Sequence, residues 1–202
     1  MEIKERIILE SGQLFGRYGI RSITMDSLAA EMAISKRTIY EHFKDKDTLL
    51  MEVIRFYQGQ HKKEAYRIIN ESDNAIEALF RMMRVMIRQM KQMNPLFIHD
   101  LKKYHAGIFK KLSEQNDFRD FSITLKLLET GVRQDVFRSE IHIDIVNSTL
   151  HVLFDLFNPD SDFSQADYDR KLMFDHIVIP YFRGISTERG VKLIEECRKI
   201  LE

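Results

Sequence analysis

With 202 residues, 44% hydrophobic and 31% charged, the chain is large enough to bury more than one small core and has the composition of a soluble globular protein. Its single cysteine, Cys197, excludes an intramolecular disulfide, no apolar run approaches the ~20 residues that cross a bilayer, and the N-terminus lacks the apolar block of a signal peptide, so no membrane partner and a cytoplasmic location are expected. Basic and acidic residues balance at 31 each, so any polyanion must be met by a local patch and not by a field over the whole molecule.

In chain order, Ile7, Ile8, Ser11, Leu14, Phe15 and Tyr18 form one stripe of a first helix, which Gly19 can end because glycine takes the left-handed cap conformation without a Cβ clash. Thr24 then suits an N-cap, and Leu28, Ala29 and Met32 recur at helical spacing behind it. Ser35 repeats the signal for a further helix whose apolar residues, Ile39 and Phe43, stand four apart. Lys36, Arg37, Thr38, Glu41 and His42 are left mostly on its other faces. Two short helices joined by a tight turn, the second with a basic N-terminus, follow the helix-turn-helix plan, in which the second helix enters the major groove of DNA. Leu28, Ile34, Ile39 and Phe43 are expected in the core, and Asp45 or Asp47 can cap the helix that follows.

From Ile7 to Leu50 the sequence IILESGQLFGRYG, then ITMDSLAAEMAISKRTIYEHFKDKDTLL, resembles the tetracycline-repressor (TetR) family of bacterial transcriptional regulators. The likeness rests on the first apolar helix, the Phe-x3-Gly exit, the Thr and Ser caps and the Tyr-x-His-Phe-x2-Lys ending, all in register. It implies an all-α fold, with an N-terminal three-helix helix-turn-helix DNA-binding domain (1–46) and a C-terminal helical ligand-binding and dimerisation domain (47–202). By position, Ser35, Thr38 and the first amides of the second helix suit a phosphate. Lys36 and Arg37 fall where side chains reach base edges. The family pattern implies that Tyr40 and Lys46 contact the DNA backbone, which positions the protein without specifying sequence. Thr24 and His42 complete the expected DNA-binding set.

Two positions depart from the family. Ala33 stands where glycine is usual in the turn, at a cost of about 1 to 2 kcal/mol if it stays left-handed, and a slightly reshaped turn is expected. Arg37 replaces a commonly small residue, which points to arginine-driven base reading. Residues 1–46 hold eight Lys or Arg against seven Asp or Glu, whereas Ser35 to Lys46 hold four against two, with Arg17 and Arg21 able to join them. Binding from such a local patch should weaken strongly as salt is added.

Beyond residue 50 helical periodicity is nearly continuous. Helices are predicted over 48–69, 75–93, 96–114, 118–134, 144–157, 165–183 and 187–201, with Asn94-Pro95 as a stop and restart and Ser164, Ser186 or Thr187 as caps. Ile141, Ile143 and Ile145 alternate as in a strand, but a short extended lead-in to the next helix is favoured. Residues 145–157 and 168–182 are apolar over more than one face, which suits packing against a second copy of the chain as well as burial within one. A two-fold homodimer would read a roughly palindromic operator in double-stranded DNA.

For an unidentified small-molecule effector, the candidate lining is Met86, Met90, Phe97, His99, Tyr104, His105, Phe121 and Phe154, since thioethers and aromatic rings adapt to apolar ligands. The alternative from another class is a helical enzyme, with a metal-dependent variant of that reading, built on His99, Asp100, His105, His142, Asp144, His151, Asp155 and His176, whose side chains are of metal-ligand type. No His-Glu-x2-His, paired cysteine or Gly-rich phosphate loop accompanies them, so no catalytic residue, metal site or cofactor is assigned.

Overall fold

The first apolar stripe folds as α1 (Ile3–Tyr18), with Ile7, Ile8, Ser11 and Phe15 buried, and stops at Gly19, whose φ of 82° suits glycine. In the computed structural model, residues 2–92, 94–114, 121–157 and 169–198 are described. Helices α2 (Met25–Glu31) and α3 (Lys36–His42) follow, then the long α4 (Lys46–Glu71), α5 (Ala75–Gln92), α6 (Leu96–Tyr104), α7 (Ala106–Glu114), α8 (Phe121–Arg133) and α9 (Ile143–Asp155). The last described part runs from α10 (Arg170–Met173) through a π-helical segment (Phe174–Val178) into α11 (Ile179–Ile185), and ends in α12 (Glu188–Cys197). No helix among the described residues is long and apolar enough to cross a membrane.

Local chemistry explains the boundaries. Thr24 and Ser27 form a reciprocal capping box at the start of α2: the Ser27 amide donates to Thr24 Oγ1 at 3.1 Å, and the Thr24 amide to Ser27 Oγ at 2.8 Å. Of the two aspartates before α4, Asp45 is the cap, accepting from both the amide and the hydroxyl of Thr48 at 2.7 Å. Thr187 caps α12, and Ser164 lies outside the described residues. The extended lead-in to α9 is His142 (φ −83°, ψ 98°), while Ile143 and Ile145 already belong to the helix.

Two long predicted helices are interrupted. The one expected over 96–114 breaks at His105, whose backbone (φ −125°, ψ 37°) leaves the helix while its Nδ1 lies 2.7 Å from the Asp47 carboxylate. The one expected over 165–183 widens to a π turn just before Pro180, which has no N–H to continue the α ladder, and the Ile179 amide bonds Phe174 O instead.

The chain forms two compact units, Met1–Lys63 with Gln92–Arg119 and Glu64–Lys91 with Asp120–Glu202. In the first, Ile7, Phe15, Leu28, Met32, Ile39, Phe43, Leu49 and Leu50 share a core with Leu101, Ile108 and Leu112 of α6 and α7. Asn94 fastens this arrangement: its amide groups donate to Gly16 O (2.8 Å) and Arg17 O (2.9 Å), and its Oδ1 accepts from the Leu96 amide. In the second, Phe80, Phe137, Phe174 and Phe182 anchor a core with Leu79, Leu128, Leu150 and Ile194. There Phe137 and Ser186 form an isolated antiparallel bridge that pins the segment after α8 beside the start of α12.

The turn between α2 and α3 keeps its left-handed residue: Ala33 has φ 52° and is exposed, so it carries the backbone strain instead of reshaping the turn. Ala33→Gly should therefore raise unfolding stability by about 1 kcal/mol, read as a higher denaturation midpoint. Gly190→Ala should do the opposite, because a Cβ there would lie 2.0 Å from Val136 O, a backbone atom. A loss of about 2 to 3 kcal/mol in the same measurement is expected.

Candidate nucleic-acid interface

Of the seven residues of α3, only Ile39 is buried. It and Phe43 insert into the first unit's core, together with Leu28, Ala29 and Met32 of α2, while Ile34 is partly buried beside them. That anchorage turns the rest of the helix outward. Lys36, Arg37, Tyr40, Glu41 and His42 are all exposed, and the Arg37 side chain is 86% accessible.

The hydroxyl pair at the head of α3 is organised before any ligand arrives. Ser35 Oγ accepts from the Thr38 amide at 3.0 Å, and the two hydroxyl oxygens lie 2.8 Å apart. One hydroxyl hydrogen closes that contact, which leaves the other of the pair to point outward.

The cations are held by carboxylates on the same surface. Lys36 Nζ sits 2.5 Å from Asp26 of α2, and that hydrogen bond holds its ammonium above the ordinary lysine value. The same ammonium lies 5.9 Å from the centre of the Tyr40 ring, which is 45% exposed. Arg37 Nε bonds Glu41 at 3.0 Å, one helical turn on. With Nε so occupied, the two terminal nitrogens form the end of the fork that projects outward, and an arginine fork matches guanine O6 and N7. His42 stands beside Phe43 with ring centres 6.4 Å apart.

Lys46 differs from the other members of the set. Its ammonium turns inward and donates to Ile20 O at 2.6 Å and to Ile23 O, over the ring of Phe15. Burial lowers its pKa, against the opposing pull of Asp100 and Asp47. Thr24 uses its side chain in the capping box. Arg21, at the edge of this surface, donates to Tyr104 Oη at 2.9 Å.

The residues named as ligand lining fall in several places. Met86 and Phe154 meet in an apolar pocket of the second unit with Met83, Ile87, Phe157 and Phe174, too tight at present to admit a water-sized sphere. Phe121, at the start of α8, is not among those residues; its ring centre lies 3.9 Å from that of His151, with the planes tilted by 50°. His99 and Tyr104 line a cleft of about 400 Å³ in the first unit with Tyr18, Arg21, Ser22, Leu96 and Asp100. Phe97 packs on that unit's core, and His105 is tied to Asp47. The Met90 side chain lies outside the described residues.

Three groups take structural roles that the sequence did not assign to them. Arg6 donates to Met32 O at 3.0 Å, satisfying a carbonyl at the end of α2. Asp100 of α6, 6% exposed, accepts from the Arg21 amide at 2.7 Å. In the second unit Asn147 Nδ2 donates to Phe121 O, Thr124 Oγ1 donates to Asn147 Oδ1 at 2.6 Å, and His151 Nε2 lies 2.8 Å from that hydroxyl. Because the carbonyl can only accept, the chain's polarity is set, and Nε2 must carry a hydrogen. The spacing of Asn147 and His151 at i, i+4 is the one sequence signal for this group. Among the described residues no cluster of three or more His, Cys, Asp or Glu could hold a metal ion.

Residues 7–53 match the family described as bacterial regulatory proteins, tetR family. Over 186 residues the chain is 27% identical to the uncharacterized HTH-type transcriptional regulator YvaF of Bacillus subtilis (strain 168), covering 91% of this chain and 96% of that protein. Among solved structures, a putative transcriptional regulator from Saccharomonospora viridis in complex with choline superposes with a TM-score of 0.74 at 19% identity, over 92% of this chain and 98% of that one. CprB, a TetR family protein from S. coelicolor A3(2), does so with a TM-score of 0.63 at 22% identity, over 97% and 98%. Residues 7–53 thus carry the DNA-binding domain of the tetR family of bacterial regulatory proteins, and this helix-turn-helix is the DNA-binding part of a transcriptional regulator.

Proposed function

We propose that the chain is a cytoplasmic, non-enzymatic homodimeric repressor that reads a palindromic operator with α3 and leaves it when a small molecule binds. The carrying observation is that α3 buries Ile39 alone and exposes a pre-ordered set of donors and cations. Residues 1–46 are the reading head, in which Lys36 and Arg37 address base edges while Thr24, Ser35, Thr38, Tyr40 and His42 address the backbone. Residues 47–202 supply effector binding and dimerisation.

The second copy has a surface to cover. Ile145 and Val152, seven residues apart on α9, are 62% and 58% exposed, and Leu172 of α10 is 52% exposed. Tyr181 Oη of α11 donates to Val146 O at 3.0 Å, so helices from both stretches lie side by side. Two such helices meeting their two-fold mates form a four-helix contact.

For the effector, the apolar pocket around Met83, Met86 and Phe154 is the favoured site, because thioether side chains can swing to admit an apolar molecule. A polar side chain stands against one of its lining residues: His151 lies edge-on to Phe154 with ring centres 6.2 Å apart. The choline complex of the Saccharomonospora viridis regulator supports a small-molecule role for this fold. An effector that prefers a conformation with the two heads at the wrong separation draws the population off DNA by that difference in affinity.

Selection of duplexes from a random-sequence library with the purified chain is expected to return a palindrome; enrichment of no sequence would refute the reading. Against the selected duplex, Arg37→Ala should remove about 1 to 3 kcal/mol of discrimination at one base position per half-site. Tyr40→Phe should weaken all sequences about equally. Ile145→Asp combined with Val152→Asp should turn a sedimenting dimer into a monomer and lower operator affinity; an unchanged dimer would move the interface elsewhere.

A further inference from the structure

The segment from Gly19 to Ile23 leads directly into the Thr24 cap, and polar groups from two distant parts of the chain hold it. Lys46, at the start of α4, donates to Ile20 O and Ile23 O. Asp100, on α6, accepts from the Arg21 amide between them. Glycine at position 19 permits the approach, because a Cβ there would lie 3.1 Å from Asp100 Oδ2. All of these residues belong to the first unit.

We infer that Lys46 and Asp100 are positioning residues for operator binding, a clasp that fixes the α1–α2 segment and through it the placement of Thr24, α2 and α3. This role rests on the DNA-reading assignment of α3. It replaces a direct phosphate contact by Lys46 with an indirect one. An ammonium has three N–H groups, and two of these are engaged by carbonyls while the nitrogen lies over the Phe15 ring, 5.8 Å from its centre. Reaching a phosphate would require the loop to be released. Asp100 is buried, so its carboxylate makes no contact with DNA; removing its negative charge would by itself favour a polyanion, so a weakening on its loss reports the loop.

The link to the reading surface is short and stiff. Thr24 must stay extended (φ −106°, ψ 163°) for its side chain and amide to complete the capping box. From there α2 and α3 move together, since Leu28, Ala29 and Met32 share the core with Ile39 and Phe43. A shift of residues 19–23 is therefore passed to Ser35, Lys36 and Arg37.

The test uses the full chain and the duplex selected by the wild type, with Lys46→Met, Lys46→Arg, Asp100→Asn and the Lys46→Met/Asp100→Asn double variant. Affinities are taken between about 50 and 200 mM salt, where a phosphate contact shows as a slope. Lys46→Met and Asp100→Asn are each expected to weaken binding about tenfold at every salt concentration with the slope unchanged, while thermal melts place them fully folded at the assay temperature. The double variant should be no weaker than either single one, because both remove the same clasp, and Lys46→Arg should recover most of the affinity. Exchange of the Arg21 amide hydrogen should quicken in Asp100→Asn. A slope shallower by about one unit in Lys46→Met, with Asp100→Asn binding like the wild type, would make Lys46 a phosphate contact and overturn the clasp. Failure of the wild type to select any duplex would instead remove the DNA-reading assignment, and the clasp with it.

Discussion

Burial of Ile39 is the constraint on which the rest depends. A helix of seven residues with one fully buried side chain has almost no freedom in how it is rotated. Once Ile39 and Phe43 enter the core beside Leu28 and Met32, the hydroxyls and cations of α3 have no direction left but outward. The function of the chain follows from this rotation. A helix turned by half a revolution would bury Lys36 or Arg37 without partners, at a cost of several kcal/mol per charge.

Electrostatics refines that surface without creating it. The chain as a whole is neutral, and the acidic groups nearest the reading helix do not cancel its cations so much as hold them in place. Asp26 fixes Lys36 across the turn and Glu41 fixes Arg37 along the helix. Both pairs are exposed, so neither adds much stability. Their effect is to reduce the number of conformations from which each cation meets DNA, which favours recognition by lowering its entropic cost.

Features made by neighbours in sequence were legible before any coordinates: the Gly19 stop, the Thr24 and Ser35 caps, and the apolar spacing of Ile39 and Phe43 all depend on groups within one or two turns. Features made across the chain were not. Nothing near Asp100 signals that its carboxylate meets the Arg21 amide 79 residues away, and nothing near Arg6 signals a bond to Met32 O 26 residues on. The break at His105 escaped because apolar periodicity runs through it, while the partner that stabilises it, Asp47, lies 58 residues earlier. The effector residues were the least legible. Methionine and aromatic residues mark cores and pockets alike, and only packing assigns Met86 to one unit and His99 to the other.

The central claim is that the exposed face of α3 is the surface that meets DNA. The most direct measurement follows backbone amide resonances of the isotope-labelled chain while its selected duplex is added. The expected result is that the largest shifts fall on Thr24 and on residues 35–42, while amides of the second unit's core stay in place. Saturable binding with those resonances unmoved would show that another face carries the DNA, and would contradict the account.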